Sequence, residues 1–144
     1  MATFNIYLNF PGNTQEAFDF YKSVLGGEFL TVMRFRDAPD TDKIPPALLD
    51  KIIHIALPVG KGNMLMGTDA AEGMGPKFTV GNNVHITVGP DSEEEARRLF
   101  DGLSAGGEVA TPLNIAFWGG LFGAFTDKFG INWMFNYDPR QQQQ

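Results

Sequence analysis

Two histidines, His54 and His85, are the only imidazoles in this chain of 144 residues, and cysteine is absent. Thiolate nucleophiles, thiolate metal sites and disulfides are therefore excluded. The chemistry left is that of imidazole, carboxylate, phenol, hydroxyl and amide. Either histidine could act as a general base or, as neutral imidazole, bind a divalent metal. No carboxylate lies near His54 in sequence to orient its ring. A histidine bonded within its own sheet, or to a dimer partner, is the plainer reading for it.

Other reactive-looking groups have simpler explanations. Arg34 and Arg36 alternate on a segment with strand character and could meet an anionic substrate, although a solvated edge is the usual place for such a pair. The run from Asp91 to Glu95 looks metal-binding, yet Ser92 with Glu95 three residues on is a helix-capping box. No Gly-x-Ser-x-Gly elbow or recognisable triad supports a hydrolase. Phosphate-loop and dinucleotide fingerprints are missing too, and no glycine-rich loop follows a parallel strand to hold a nucleoside cofactor for methyl transfer. Phe117, Trp118, Phe122, Phe125, Phe129, Trp133, Phe135 and Tyr137 make the last third strongly aromatic. Most of these should be core or dimer packing.

Composition narrows the partners. A formal net charge of −6, with no basic run, argues against nucleic acid and anionic membranes. No apolar stretch is long enough to span a bilayer, and no signal-peptide pattern follows Met1, so the expected compartment is the cytoplasm. With 43% hydrophobic and 19% charged residues, the chain has the make-up of a globular domain.

The elements that must position these groups come in two copies. Residues 5–29 and 83–109 each pass from an alternating segment through a Pro/Gly turn into a Glu-Ala-led helix, and leave by Gly-Gly-Glu. In the first copy Ile6, Leu8 and Phe10 alternate with Asn5, Tyr7 and Asn9. Asn13 is placed to cap the helix with Glu16 reaching back, and Ala17, Phe20, Tyr21 and Val24 recur on one helical face. In the second copy the face is Ala96, Leu99, Phe100 and Leu103. Glycine pairs Gly26-Gly27 and Gly106-Gly107 end the helices. Further strands are expected at 29–36, 52–59 and 64–68, and then from 108 irregularly towards 118, at 121–126 and at 132–137. The Gly-Lys-Gly-Asn turn at 60–63 makes a hairpin of the second and third of these, and a proline-rich loop at 37–50 precedes it.

The expected class is thus α+β, with two βαβββ modules in tandem, at about 3–69 and 81–138, joined by a linker at 70–80. A disordered tail is expected at 141–144. Each four-stranded sheet has one face covered by its helix. The uncovered faces are expected to enclose a cavity lined by Asn5, Tyr7, Asn9, Asn83, His85 and Thr87.

This plan resembles the vicinal oxygen chelate superfamily, the glyoxalase/bleomycin resistance/dihydroxybiphenyl dioxygenase fold, and within it the PhnB-like group, also called 3-demethylubiquinone 3-methyltransferase-like. The similarity runs through Tyr7–Asn13, Glu16-Ala17, Phe20–Lys22, Gly26–Glu28, Asp37–Pro39, Pro45-Pro46, Asp50–His54 and Met64–Met66. Its most specific stretch is Phe117–Met134. The resemblance implies a homodimer and a small-molecule cavity. It also implies a divalent metal, Zn, Mn, Fe or Ni, held by His, Gln and Glu from the first and fourth strands of each module. Here those strands offer Tyr7 and Asn9, Met64 and Met66, His85, and Trp133 and Met134, so only His85 is a candidate metal ligand. The candidate ligand pocket is Tyr7, Asn9, His54, Met66, His85, Trp118 and Trp133.

Two functions follow. One is a cytoplasmic protein that binds a small molecule without the metal triad. The other is a metal-dependent lyase, isomerase or dioxygenase using His85, with or without His54.

Overall fold

The computed structural model describes residues 2–70 and 77–140. The expected tail at 141–144 and most of the expected linker lie outside them. The chain forms two compact units, Met1–Thr79 and Val80–Gln144.

The first unit runs β1 (Ile6–Phe10), α1 (Thr14–Leu25), β2 (Thr31–Arg34), β3 (Ile52–Pro58) and β4 (Met64–Asp69), in the sheet order β1-β4-β3-β2. β1 and β4 are parallel, and the other pairs are antiparallel. The second unit repeats the plan with β5 (Ile86–Val88), α2 (Glu93–Ser104), β6 (Glu108–Ile115), β7 (Leu121–Thr126) and β8 (Asn132–Tyr137), ordered β5-β8-β7-β6. Its parallel pair is β5 with β8. These are two mixed four-stranded sheets, each open at its edges and carrying one helix: the expected α+β tandem.

Helix α2 buries the expected face, Ala96, Leu99, Phe100 and Leu103, and Ser92 accepts the Glu95 amide at 3.0 Å. Helix α1 differs. It buries Thr14, Ala17, Phe18 and Tyr21, while Phe20 and Val24 are only half-buried. Three aromatics in four positions leave the centre of an apolar stripe undetermined, and a contact from outside the helix decides it. The Asp69 carboxylate, at the end of β4, accepts Thr14 N at 3.0 Å and Thr14 Oγ1 at 2.6 Å with Oδ1, and Ile52 N at 2.7 Å with Oδ2. This carboxylate does the capping expected of Asn13, whose side chain makes no cap bond and whose buried Oδ1 has no partner among the described residues. The rotation puts Phe18, wholly buried, edge-on to Phe10 and Tyr21. A buried aromatic of this kind contributes roughly 1.5–3 kcal/mol through lost water contact.

The first helix leaves through Gly26 and Gly27, both at positive φ, as the sequence requires. Of the glycine pair after the second helix only Gly106 has positive φ; Gly107 is needed because a Cβ there would collide with the Thr126 carbonyl. Between β2 and β3 the proline-rich segment folds into three short 3-10 turns, at Phe35–Asp37, Thr41–Lys43 and Pro46–Leu48.

Candidate functional site

Pairing register defines the face of the first sheet that α1 does not cover. Tyr7 lies beside Met66 and Asn9 beside Thr68 across the parallel pair. Met66 neighbours Ala56, Met64 neighbours Pro58, Ala56 neighbours Thr31, and His54 neighbours Met33. Residues paired across a ladder share a face, and period-2 alternation sends Ile6, Leu8 and Phe10 to the helix side. The uncovered face thus gathers Tyr7, Asn9, Thr31, Met33, His54, Met64, Met66 and Thr68.

At its centre Tyr7 and His54 meet. Their rings stack with centroids 5.8 Å apart and planes 25° from parallel. The Tyr7 hydroxyl lies 3.4 Å from His54 Nδ1, a long hydrogen bond whose direction depends on the imidazole tautomer. Tyr7 is 46% exposed and Met33 41%, so this face has surface to offer. Four of the sequence-derived pocket residues, Tyr7, Asn9, His54 and Met66, therefore come together. Met33 joins them unforeseen. The alternation of the second strand could have found it, had Arg34 and Arg36 not drawn attention to the other parity.

The remaining three residues belong to the second unit. Trp133 is not a surface residue: it sits in the core of the second module at 1% exposure, with its indole N–H donating to Asp127 Oδ2 at 2.8 Å. Its register partners, Ile86 and Phe125, place it on the helix side of its sheet. Trp118 is half-buried in the turn between β6 and β7, its ring against Gly120 and its carbonyl accepting from Arg140 at 2.8 Å. His85 is exposed at the residue before β5, not within a strand. The chain entering β5 is held by the Asn132 amide donating to the Gly81 carbonyl at 3.1 Å, a side-chain bond in place of ladder pairing.

The basic pair is occupied. Arg34 donates to the Asp50 carbonyl at 2.7 Å and to Gln15 Oε1 at 2.6 Å. Arg36 has left the strand and grips the Asp50 side chain, its Nε 3.0 Å from Oδ1. That hydrogen bond, helped by the charge of Arg36 and less so by that of Arg34, holds the Asp50 carboxyl below its ordinary 3.8. Both arginines thus secure the loop between β2 and β3.

The side chains paired across the first and fourth strands are weak donors for a divalent cation. Tyr7 and Asn9 stand beside Met66 and Thr68 on the first and fourth strands, and Thr87 stands beside Met134 on their counterparts. Phenol, amide, thioether and hydroxyl are poor ligands for borderline divalent ions, which take imidazole and carboxylate. Among the described residues no three His, Asp or Glu side chains converge to hold a metal.

Two open mixed sheets, each βαβββ and each bearing one helix, are the architecture of a glyoxalase-type protein. The chain belongs to the Glyoxalase/Bleomycin resistance protein/Dioxygenase superfamily, which it matches over residues 4–135. It is 30% identical over 146 residues to Protein YjdN of Escherichia coli (strain K12), with 96% of this chain and 97% of the relative covered. Protein PA1353 of Pseudomonas aeruginosa has a similar structure, with a TM-score of 0.84 at 38% identity, covering 96% of this chain and 98% of that one. The PhnB protein of Bacillus cereus, described as a candidate 3-demethylubiquinone-9 3-methyltransferase, superposes with a TM-score of 0.76 at 25% identity, over 95% and 100% of the two chains.

Proposed function

We propose that this protein binds a small molecule on the sheet face around Tyr7 and His54, and that it does so without a divalent metal. One observation carries the reading. The parallel pairing of β1 with β4 sets side by side the strands that hold the metal elsewhere in the superfamily, and here it juxtaposes Tyr7 with Met66. A thioether beside a phenol is a soft, adaptable contact surface rather than a ligand set. The expected outcome is that purified protein contains no stoichiometric Zn, Mn, Fe or Ni by elemental analysis. Isothermal titration with these ions should also give no site tighter than about micromolar. A tightly held metal at one per chain, lost in His85→Ala, would restore the metal-dependent enzyme.

The same reading includes a homodimer. β2 and β6 are edge strands, and they and their ends expose Leu30, Val32, Met33, Val109, Ile115 and Phe117. Exposed apolar edges are usually covered by pairing with another chain. Light scattering at micromolar concentration should give twice the 15.8 kDa chain mass, and a monomer there would reject the dimer. No described helix is long and apolar enough to cross a membrane.

A further inference from the structure

Given that binding reading, we infer that the ligand is an electroneutral molecule: a largely apolar body bearing one hydroxyl- or amide-like group that the Tyr7–His54 pair recognises. The chain carries 11 Lys and Arg and 17 Asp and Glu residues, yet none of Tyr7, Asn9, Thr31, Met33, Met64, Met66 or Thr68 is charged. Three cations of the same unit have other duties. Arg34 and Arg36 hold Asp50, and Lys51 donates to the Gly12 carbonyl at 2.9 Å. An ion laid on this face would give up water, and no Lys, Arg, Asp or Glu of the face would replace it with a countercharge, which disfavours an ion there.

The polar pair adds a second requirement. If Tyr7 donates its O–H to Nδ1, the free groups are the Nε2–H donor and the phenolic lone pair. If Nδ1–H donates to the phenol, the free groups are the Tyr7 O–H donor and the Nε2 lone pair. Neutral imidazole is a donor at one nitrogen and an acceptor at the other, so both tautomers leave the pair with one donor and one acceptor. A hydroxyl or an amide satisfies both at once. A carboxylate, which only accepts, leaves the acceptor facing negative charge. The methionines Met33, Met64 and Met66 supply the apolar remainder, polarisable and adaptable to a ring.

The test uses N-phenyl-1-naphthylamine, a neutral fluorescent probe, displaced by naphthalene, 2-naphthol or 2-naphthoate. The expected order of displacement is naphthol, then naphthalene, then naphthoate, with about tenfold or more between the first and last. In Tyr7→Phe and in His54→Phe the advantage of naphthol over naphthalene should vanish while the probe still binds, which also reports that each variant is folded. Naphthoate competing as well as naphthol would overturn the neutral-ligand inference and leave the binding reading standing. An unchanged naphthol advantage in both variants would remove the Tyr7–His54 pair as the recognition element. Failure of the parent protein to bind any of the four would reject the binding reading and this inference together.

Discussion

Asp127→Ala is expected to destabilise the second module by about 3–4 kcal/mol, measured by urea denaturation. Asp127 is 3% exposed, and both oxygens of its carboxylate accept hydrogen bonds. Oδ1 takes the amides of Phe129 at 2.8 Å and Ile131 at 3.1 Å, and Oδ2 takes the Trp133 indole at 2.8 Å. Bonds to an ionised acceptor contribute roughly 1.5–3 kcal/mol each, but the two turn amides can rehydrate when the carboxylate is gone. The indole N–H cannot, since Trp133 is 1% exposed beneath α2. Its unmet desolvation is the larger part of the loss. A double-mutant cycle isolates it: Trp133→Phe should cost less in the Asp127→Ala background than in the parent, by about 1 kcal/mol or more. Equal costs in the two backgrounds would show that the indole–carboxylate bond contributes nothing.

That carboxylate also explains what could and could not be read from the sequence. Residues 117–134 carry the strongest resemblance to the family, and the resemblance drew Trp133 into the proposed pocket. The pairing of β7 with β8 shows why the residue lies elsewhere. A tight turn from Asp127 to Ile131 needs its amides satisfied, and Asp127 satisfies them while anchoring Trp133 in the core. Alternation over β1 and the glycines Gly26, Gly27 and Gly106 were legible because each follows from local geometry, period-2 side-chain direction and freedom at positive φ. The rotation of α1 was not, because Asp69 reaches Thr14 from 55 residues away. Likewise the Tyr7–His54 pair spans 47 residues and two strands, so no local pattern announces it. Tyr7 and His54 were each legible as candidates, but only the strand order makes them neighbours.

Gly123→Ala is expected to cost about 2–3 kcal/mol and Gly67→Ala about 1–2 kcal/mol, although alanine in place of glycine ordinarily gains stability by restricting the unfolded chain. The reason is where the helices rest. A Cβ on Gly67 in β4 would lie 2.6 Å from Phe18 Cε1, and one on Gly123 in β7 would lie 2.7 Å from Phe100 Cε2. Each module thus presses a helix phenylalanine onto a bare glycine, though on the fourth strand in one and the third strand in the other. Neither ring has room to retreat: Phe18 is packed edge-on against Tyr21 at 5.7 Å, and Phe100 against Phe125 at 4.9 Å. Gly123 is the more sensitive site because its Cβ would also stand 3.0 Å from the Leu113 Cα and 3.2 Å from its N, whereas the one backbone atom near Gly67 is the Leu8 carbonyl oxygen at 3.2 Å, and backbone moves less readily than a ring. Trimming the ring provides the check. Phe18→Leu should cost less in Gly67→Ala than in the parent, and Phe100→Leu should relieve Gly123→Ala only in part, since the Leu113 contact persists. Thermal melts of the four single variants and two doubles decide the matter, and a stabilised Gly67→Ala would mean that Phe18 does not rest on that glycine.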